Sequence, residues 1–141
     1  MSLIGIFGNY GGVATSRIIG RNVIVNGIFD ADADWIKGLN WTIALGVLKA
    51  TGVLTASNTR QLTLKVGETY EVTYTILNYV NGTIKIGTGT NWGIGRSGNG
   101  TFTQIMVCAG NTNFYILADV GGSFEIDNVI AREINNIEED G

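Results

Sequence analysis

The sequence predicts an all-β fold, an antiparallel two-sheet β-sandwich, and three observations lead there. Short segments that alternate apolar and polar residues recur along most of the chain. No amphipathic helical pattern separates them. The 141 residues include 21 glycines, the supply of turn positions that many short strands require. With 45% hydrophobic and only 15% charged residues, a chain of this length buries one core without staples.

Residues 1–20 read differently from the rest. An apolar run from Leu3 to Phe7 precedes Gly8-Asn9-Tyr10-Gly11-Gly12, and Arg17 is the one charged side chain in the stretch. Such a segment makes a poor solvated tail. It is either a first strand of the same domain or an arm, carried by Leu3, Ile4, Ile6, Phe7 and Tyr10, that docks on a neighbouring subunit. Val23-Ile24-Val25 then leads into the turn dipeptide Asn26-Gly27. Arg60 to Val66 alternates, which places Leu62, Leu64 and Val66 inward and Gln61, Thr63 and Lys65 outward. After Gly67-Glu68, one face of a strand collects Tyr70, Val72, Tyr74 and Ile76, and the other Glu71, Thr73 and Thr75. Asn81-Gly82 signals a hairpin into Thr83–Ile86. Gly87 to Gly100 reads as a long glycine-rich loop around Trp92, and strands resume at 101–109, 113–118 and 123–133. Roughly nine strands fit the length. The expected division is an N-terminal arm at 1–20, the sandwich at 21–134 and a solvated acidic tail at 135–141.

Composition excludes several chemistries. The chain has no histidine, so Ser-His-Asp and Cys-His arrangements and every His-ligated metal site are ruled out. Its single cysteine, Cys108, permits neither an internal disulfide nor a multi-cysteine zinc site and is expected to be a small buried hydrophobe. A net charge of −3 with scattered Lys and Arg argues against nucleic acid as a partner. No apolar run reaches the roughly 20 residues that span a bilayer, and the start lacks the features of a signal peptide.

Gly93-Ile94-Gly95-Arg96-Ser97-Gly98 spells GxGxxG, but a strand follows where the dinucleotide fingerprint needs a helix. Asp30, Asp32 and Asp34 resemble the start of an EF-hand loop, yet Trp35 occupies the required glycine position and Trp41 the bidentate glutamate position. Of the carboxylates, Glu71, Glu125 and Asp127 fall in expected strands without marking a catalytic pair. No catalytic residue is assigned, and the chain is expected not to be an enzyme. Trp35, Trp41, Trp92, Tyr79 and Tyr115 are candidates for stacking on the apolar faces of sugar rings. Trp41 is expected in the core, and Trp92, inside its Gly/Asn-rich loop, is expected to be exposed.

Three stretches taken together resemble the jelly-roll carbohydrate-binding modules attached to xylanases and cellulases. Asn26-Gly27-Ile28-Phe29-Asp30, then Trp35 and Asn40-Trp41-Thr42, resembles their opening pattern. Gln61-Leu62-Thr63-Leu64, followed by Gly67 to Tyr74, resembles their central strands, and Ile126-Asp127-Asn128-Val129 to Glu133 resembles their closing strand. The resemblance covers about residues 22–133 and implies a jelly-roll sandwich. It also implies a structural calcium held by Asp30 and Asp127, and a carbohydrate site for which Trp92, Tyr79 and Tyr115 are the candidates. The same sandwich recurs in tailed-bacteriophage virion proteins of tail, fibre and head-decoration type. A short chain with an apolar N-terminal arm resembles these more. The expectation is therefore a structural protein of a bacteriophage virion, assembled in the host cytoplasm on itself or on other virion proteins, with carbohydrate recognition as the alternative.

Overall fold

Tyr70, Val72, Tyr74 and Ile76 are all buried, because their strict alternation drives one face of an extended segment out of water. That segment, Thr69–Asn81, is the sixth of the eleven strands found among the described residues of the computed structural model, which describes the backbone of residues 13–140 and the side chains of residues 19–135. In chain order the strands are β1 (Val13–Asn22), β2 (Ile36–Lys37), β3 (Trp41–Ala44), β4 (Val47–Ala50) and β5 (Ser57–Leu62). There follow β6 (Thr69–Asn81), β7 (Ile84–Thr88), β8 (Asn91–Trp92), β9 (Gly100–Val107), β10 (Asn113–Ala118) and β11 (Ser123–Asp140). The short edge pieces β2 and β8 lie in segments that read as loop.

One sheet has the order β9-β6-β11-β4-β3, with β1 also paired to the far part of β11; the other has the order β2-β5-β10-β7-β8. All strand pairs are antiparallel. Among the described residues there is no helix, hence none long and apolar enough to cross a membrane. The two sheets pack face to face as the predicted β-sandwich. Trp41 packs edge-on against Phe124 at 5.7 Å between rings, and Trp35 bridges Phe29 and Phe114 at 5.6 and 6.1 Å. Full burial of each large side chain contributes about 1.5–3 kcal/mol. Cys108 is buried as expected; its Sγ lies 3.1 Å from the Asn111 carbonyl oxygen, and burial pushes its thiol pKa up.

Several local expectations are corrected. The alternation of residues 60–66 is inverted: Gln61 is 4% exposed and Leu62 is 65% exposed. Leu64 is buried but Val66 is exposed, because β5 ends at Leu62 and the chain then turns away from the sheet. Gln61 goes inside because its amide works as a piece of backbone. Val25 N–H donates to Gln61 Oε1 at 2.9 Å, and Gln61 Nε2 donates to the Val25 carbonyl at 3.0 Å. Val23–Val25 is accordingly not a ladder strand, being held instead by this side chain. Asn81-Gly82 does form a tight turn, with Gly82 at φ +97°, but it carries the chain from one sheet to the other rather than closing a hairpin. The segment 135–140, expected as a solvated tail, continues β11, and its backbone pairs with β1. The arm residues Leu3, Ile4, Ile6, Phe7 and Tyr10 lie outside the described residues.

Candidate functional site

The opening and closing motifs of the sequence meet on the sheet that contains β11. Asn26, at φ +55°, turns the chain and organises the acidic loop after it. Its side-chain amide donates to the carbonyls of Ala31 and Ala33 at 2.7 and 2.9 Å, its Oδ1 accepts from Asp30 N–H at 3.0 Å, and its carbonyl accepts from Trp35 Nε1 at 3.0 Å. Gly27 lies so close to β11 that a Cβ there would sit 2.1 Å from the Val129 carbonyl oxygen. The Val129 N–H donates to Gly27 O at 2.9 Å, and Val23 N–H donates to Ala131 O at 2.8 Å. Asn22 Oδ1 accepts from both Ile24 and Ala131 N–H groups. A β-bulge between Asp127 and Ile130, with Asn128 at φ +52°, makes room for this seam.

Of the two expected metal ligands, Asp30 lines the pocket beside the seam and Asp127 does not. Asp30 is exposed and lines an open pocket of about 440 Å³ with Asn22, Asn26, Asn128 and Ile130. Asp127 stands at the start of the bulge, half-buried, with one carboxylate oxygen accepting from Asn128 N–H at 2.7 Å. Among the described residues no three His, Cys, Asp or Glu side chains gather in one place. The donors around the pocket are amide and carboxylate oxygens, the type a hard cation takes. Asp32 is engaged elsewhere, in an ion pair with Lys37.

The aromatic candidates separate. Trp41 and Trp35 are 4% and 7% exposed and belong to the core, whereas Trp92 is 42% exposed. Trp92 lies on β8, across from Gly87 of β7, and its indole covers the glycine: a Cβ at Gly87 would meet the six-membered ring at 2.6–2.9 Å. Gly87 is in turn the register partner of Tyr115 on β10, and the Tyr115 ring stands 5.4 Å from that of Trp92, inclined by 34°. Tyr79 is elsewhere, on β6 in the other sheet, with its hydroxyl donating to the Gly82 carbonyl at 2.6 Å. The structure thus assembles Trp92 and Tyr115 into one outward platform and leaves Tyr79 apart.

One more residue joins this row, and the sequence reading missed it. Arg60 of β5 is in register with Tyr115, and Ile36 of β2 with Arg60. The signal was present as a conflict: the parity that buries Leu62 would also have pointed Arg60 into the core. With Gln61 inward, Arg60 faces out beside the platform.

The remaining motifs form structure. The GxGxxG stretch lies along β7, where Ile84 and Arg96 exchange two backbone hydrogen bonds of 2.9 Å, and β9 follows where a helix would be needed. The Arg96 guanidinium stacks 4.8 Å above the Phe102 ring, which packs on Tyr74 at 5.8 Å. Burial raises the Tyr74 phenol pKa, opposed by the neighbouring Arg96 charge. Burial also raises that of Tyr70, opposed by the hydrogen bond its oxygen accepts from Lys65 N–H. Glu71, Glu125 and Asp127 all lie on the outward side of the β11 sheet, where Asn78 donates to Glu125 at 2.8 Å.

No protein-family model matches the chain, and no curated protein sequence does. Among solved structures, the fold is similar to a crystal structure from bacteriophage CBA120, described as the enzymatically active domain of tailspike protein 4. The TM-score is 0.54 at 17% identity, and the match covers 79% of this chain. The chain spans only 21% of the tailspike chain. This match overturns one expectation. A sandwich of this kind matches part of a chain described as an enzymatically active domain, so the all-β fold does not support classing this chain as a non-enzyme.

Proposed function

We propose that this chain is a module of a tailed-phage particle that presents the Trp92–Tyr115 face of its sandwich to a surface carbohydrate. One observation carries the reading: an indole laid flat over a glycine, braced by a second ring and open to solvent. A tryptophan with no such role gains more by burial, as Trp35 and Trp41 do in this molecule. The pairing leaves a ring face free to stack on the apolar face of a pyranose, with the Tyr115 hydroxyl at its side. The resemblance of residues 22–133 to carbohydrate-binding modules supports the ligand class. The likeness to part of a phage tailspike supports the setting. In the same reading, Asp30 and Asp127 hold a calcium ion beside the bulge, where a divalent charge offsets the two carboxylates and ties the opening segment to the closing strand.

The test is retention of the purified protein on an array of bacterial surface glycans. Binding that disappears in Trp92→Ala, with the folded state intact by circular dichroism, is the expected result. A silent array, or binding unchanged by the substitution, overturns the reading.

A further inference from the structure

We infer that the saccharide taken by this face is acidic, carrying a carboxylate or sulfate that pairs with Arg60. The inference rests on the carbohydrate reading and adds the class of ligand. The five strands of the Trp92 sheet contain Lys37, Arg60 and Lys85 and not one Asp or Glu. The strands of the opposite sheet contain seven carboxylates against four cations. In a chain of net charge −3, the one sheet free of carboxylates is the one that bears the aromatic platform.

The cations are also available. Lys37 is paired with Asp32, but among the described residues neither Arg60 nor Lys85 has an ion-pair partner. The register aligns Arg60, Tyr115, Gly87 and Trp92 in a single row across four strands. Adjacent strands lie about 4.8 Å apart, so the row spans about 14 Å between the backbones of β5 and β8. A short oligosaccharide lying across the strands would stack one ring on Trp92 and bring the acidic group of another to the guanidinium. That planar fork matches carboxylate and sulfate in bidentate geometry, beside apolar rings that lower the local dielectric. Single-stranded nucleic acid also combines charge with rings that stack. It needs a track of cations to follow its phosphates, however, and this face offers two free ones.

The experiment uses the full chain on an array of uronate-bearing, sulfated and neutral oligosaccharides, with a single-stranded oligodeoxynucleotide as a further probe. Acidic saccharides are expected to be retained, and binding to weaken as salt rises. Arg60→Gln should weaken the tightest of them about tenfold, as expected for a lost charged hydrogen bond, while leaving the denaturation midpoint unchanged. Carboxyl reduction or desulfation of that saccharide should weaken wild-type binding similarly. Retention of neutral saccharides alone, insensitive to Arg60→Gln, overturns the acidic assignment and leaves the carbohydrate reading standing. Retention of no saccharide removes that reading and this inference with it. Preference for the oligonucleotide overturns both.

Discussion

Outward groups of the β11 sheet bond to one another, whereas the row of side chains from Arg60 to Trp92 on the other sheet does not. On the first, Thr73 and Thr103 pair through their hydroxyls at 3.0 Å, Thr75 and Thr101 at 2.9 Å, and Asn78 holds Glu125. On the second, Trp92, Tyr115, Arg60 and Lys85 form a row and its flank, and their side chains make no hydrogen bond or ion pair with other described residues. The first sheet also carries the seam where residues 22–27 join β11. The difference separates two sides of the sandwich: closure of the fold lies on one, and the unpaired side chains on which the proposed recognition rests lie on the other. Substitutions at the seam should therefore change stability without changing ligand affinity, and substitutions on the platform should do the reverse.

The largest expected effect is at the seam. Gly27→Ala places a methyl group 2.1 Å from the Val129 carbonyl oxygen, where backbone rather than a flexible side chain must move. Overpacking of this kind costs about 3 kcal/mol, so urea denaturation should show a clearly lowered midpoint while saccharide affinity below that midpoint is kept. An unchanged midpoint would mean that the seam does not close the fold. Calcium comes next. If Asp30 and Asp127 hold the ion, free calcium at a hundred times its Kd adds about 2.7 kcal/mol. Chelation should then lower the melting temperature of the wild type but not that of Asp127→Asn. A melting temperature indifferent to chelation removes the ion from the comparison.

Why the close approach of Gly27 to Val129 escaped the sequence while the central strands did not is a matter of range. Tyr70 to Ile76 announce their buried face within seven residues, because a period of two acts locally. Trp92 was legible as exposed for a similar reason, since its neighbours are Asn91 and Gly93 rather than core formers. Asn26-Gly27 read as a turn, and Asn26 does turn the chain. The reason for glycine at 27 lies about a hundred residues away, at Val129, and no local pattern encodes that approach. Asn81-Gly82 makes the same point: turn residues report φ and ψ, not which sheet receives the next strand. Residues 60–62 failed differently. Hydropathy places a leucine inside before a glutamine, and it cannot register that the glutamine amide stands in for the missing backbone partners of Val25.

The smallest expected change in stability belongs to the platform, and it isolates the recognition side of the comparison. Gly87 has ordinary strand geometry, so alanine is tolerated by the backbone; the obstacle is the indole that covers it. A methyl group at 87 would lie 2.6 Å from the Trp92 ring, and the ring, at the end of a side chain already 42% exposed, can swing outward. Gly87→Ala should then cost less than about 1 kcal/mol, within the range of ordinary surface changes. Swinging away also separates the indole from Tyr115 and from the row that leads to Arg60, so saccharide affinity should fall nearly as far as in Trp92→Ala. A titration of both variants beside the wild type, with denaturation midpoints measured on the same samples, decides the matter. Loss of affinity at an unchanged midpoint requires the orientation of Trp92, and not merely its presence, to form the site. Retained affinity would mean that the ring binds without its support, and the glycine beneath it would be reduced to a packing accommodation.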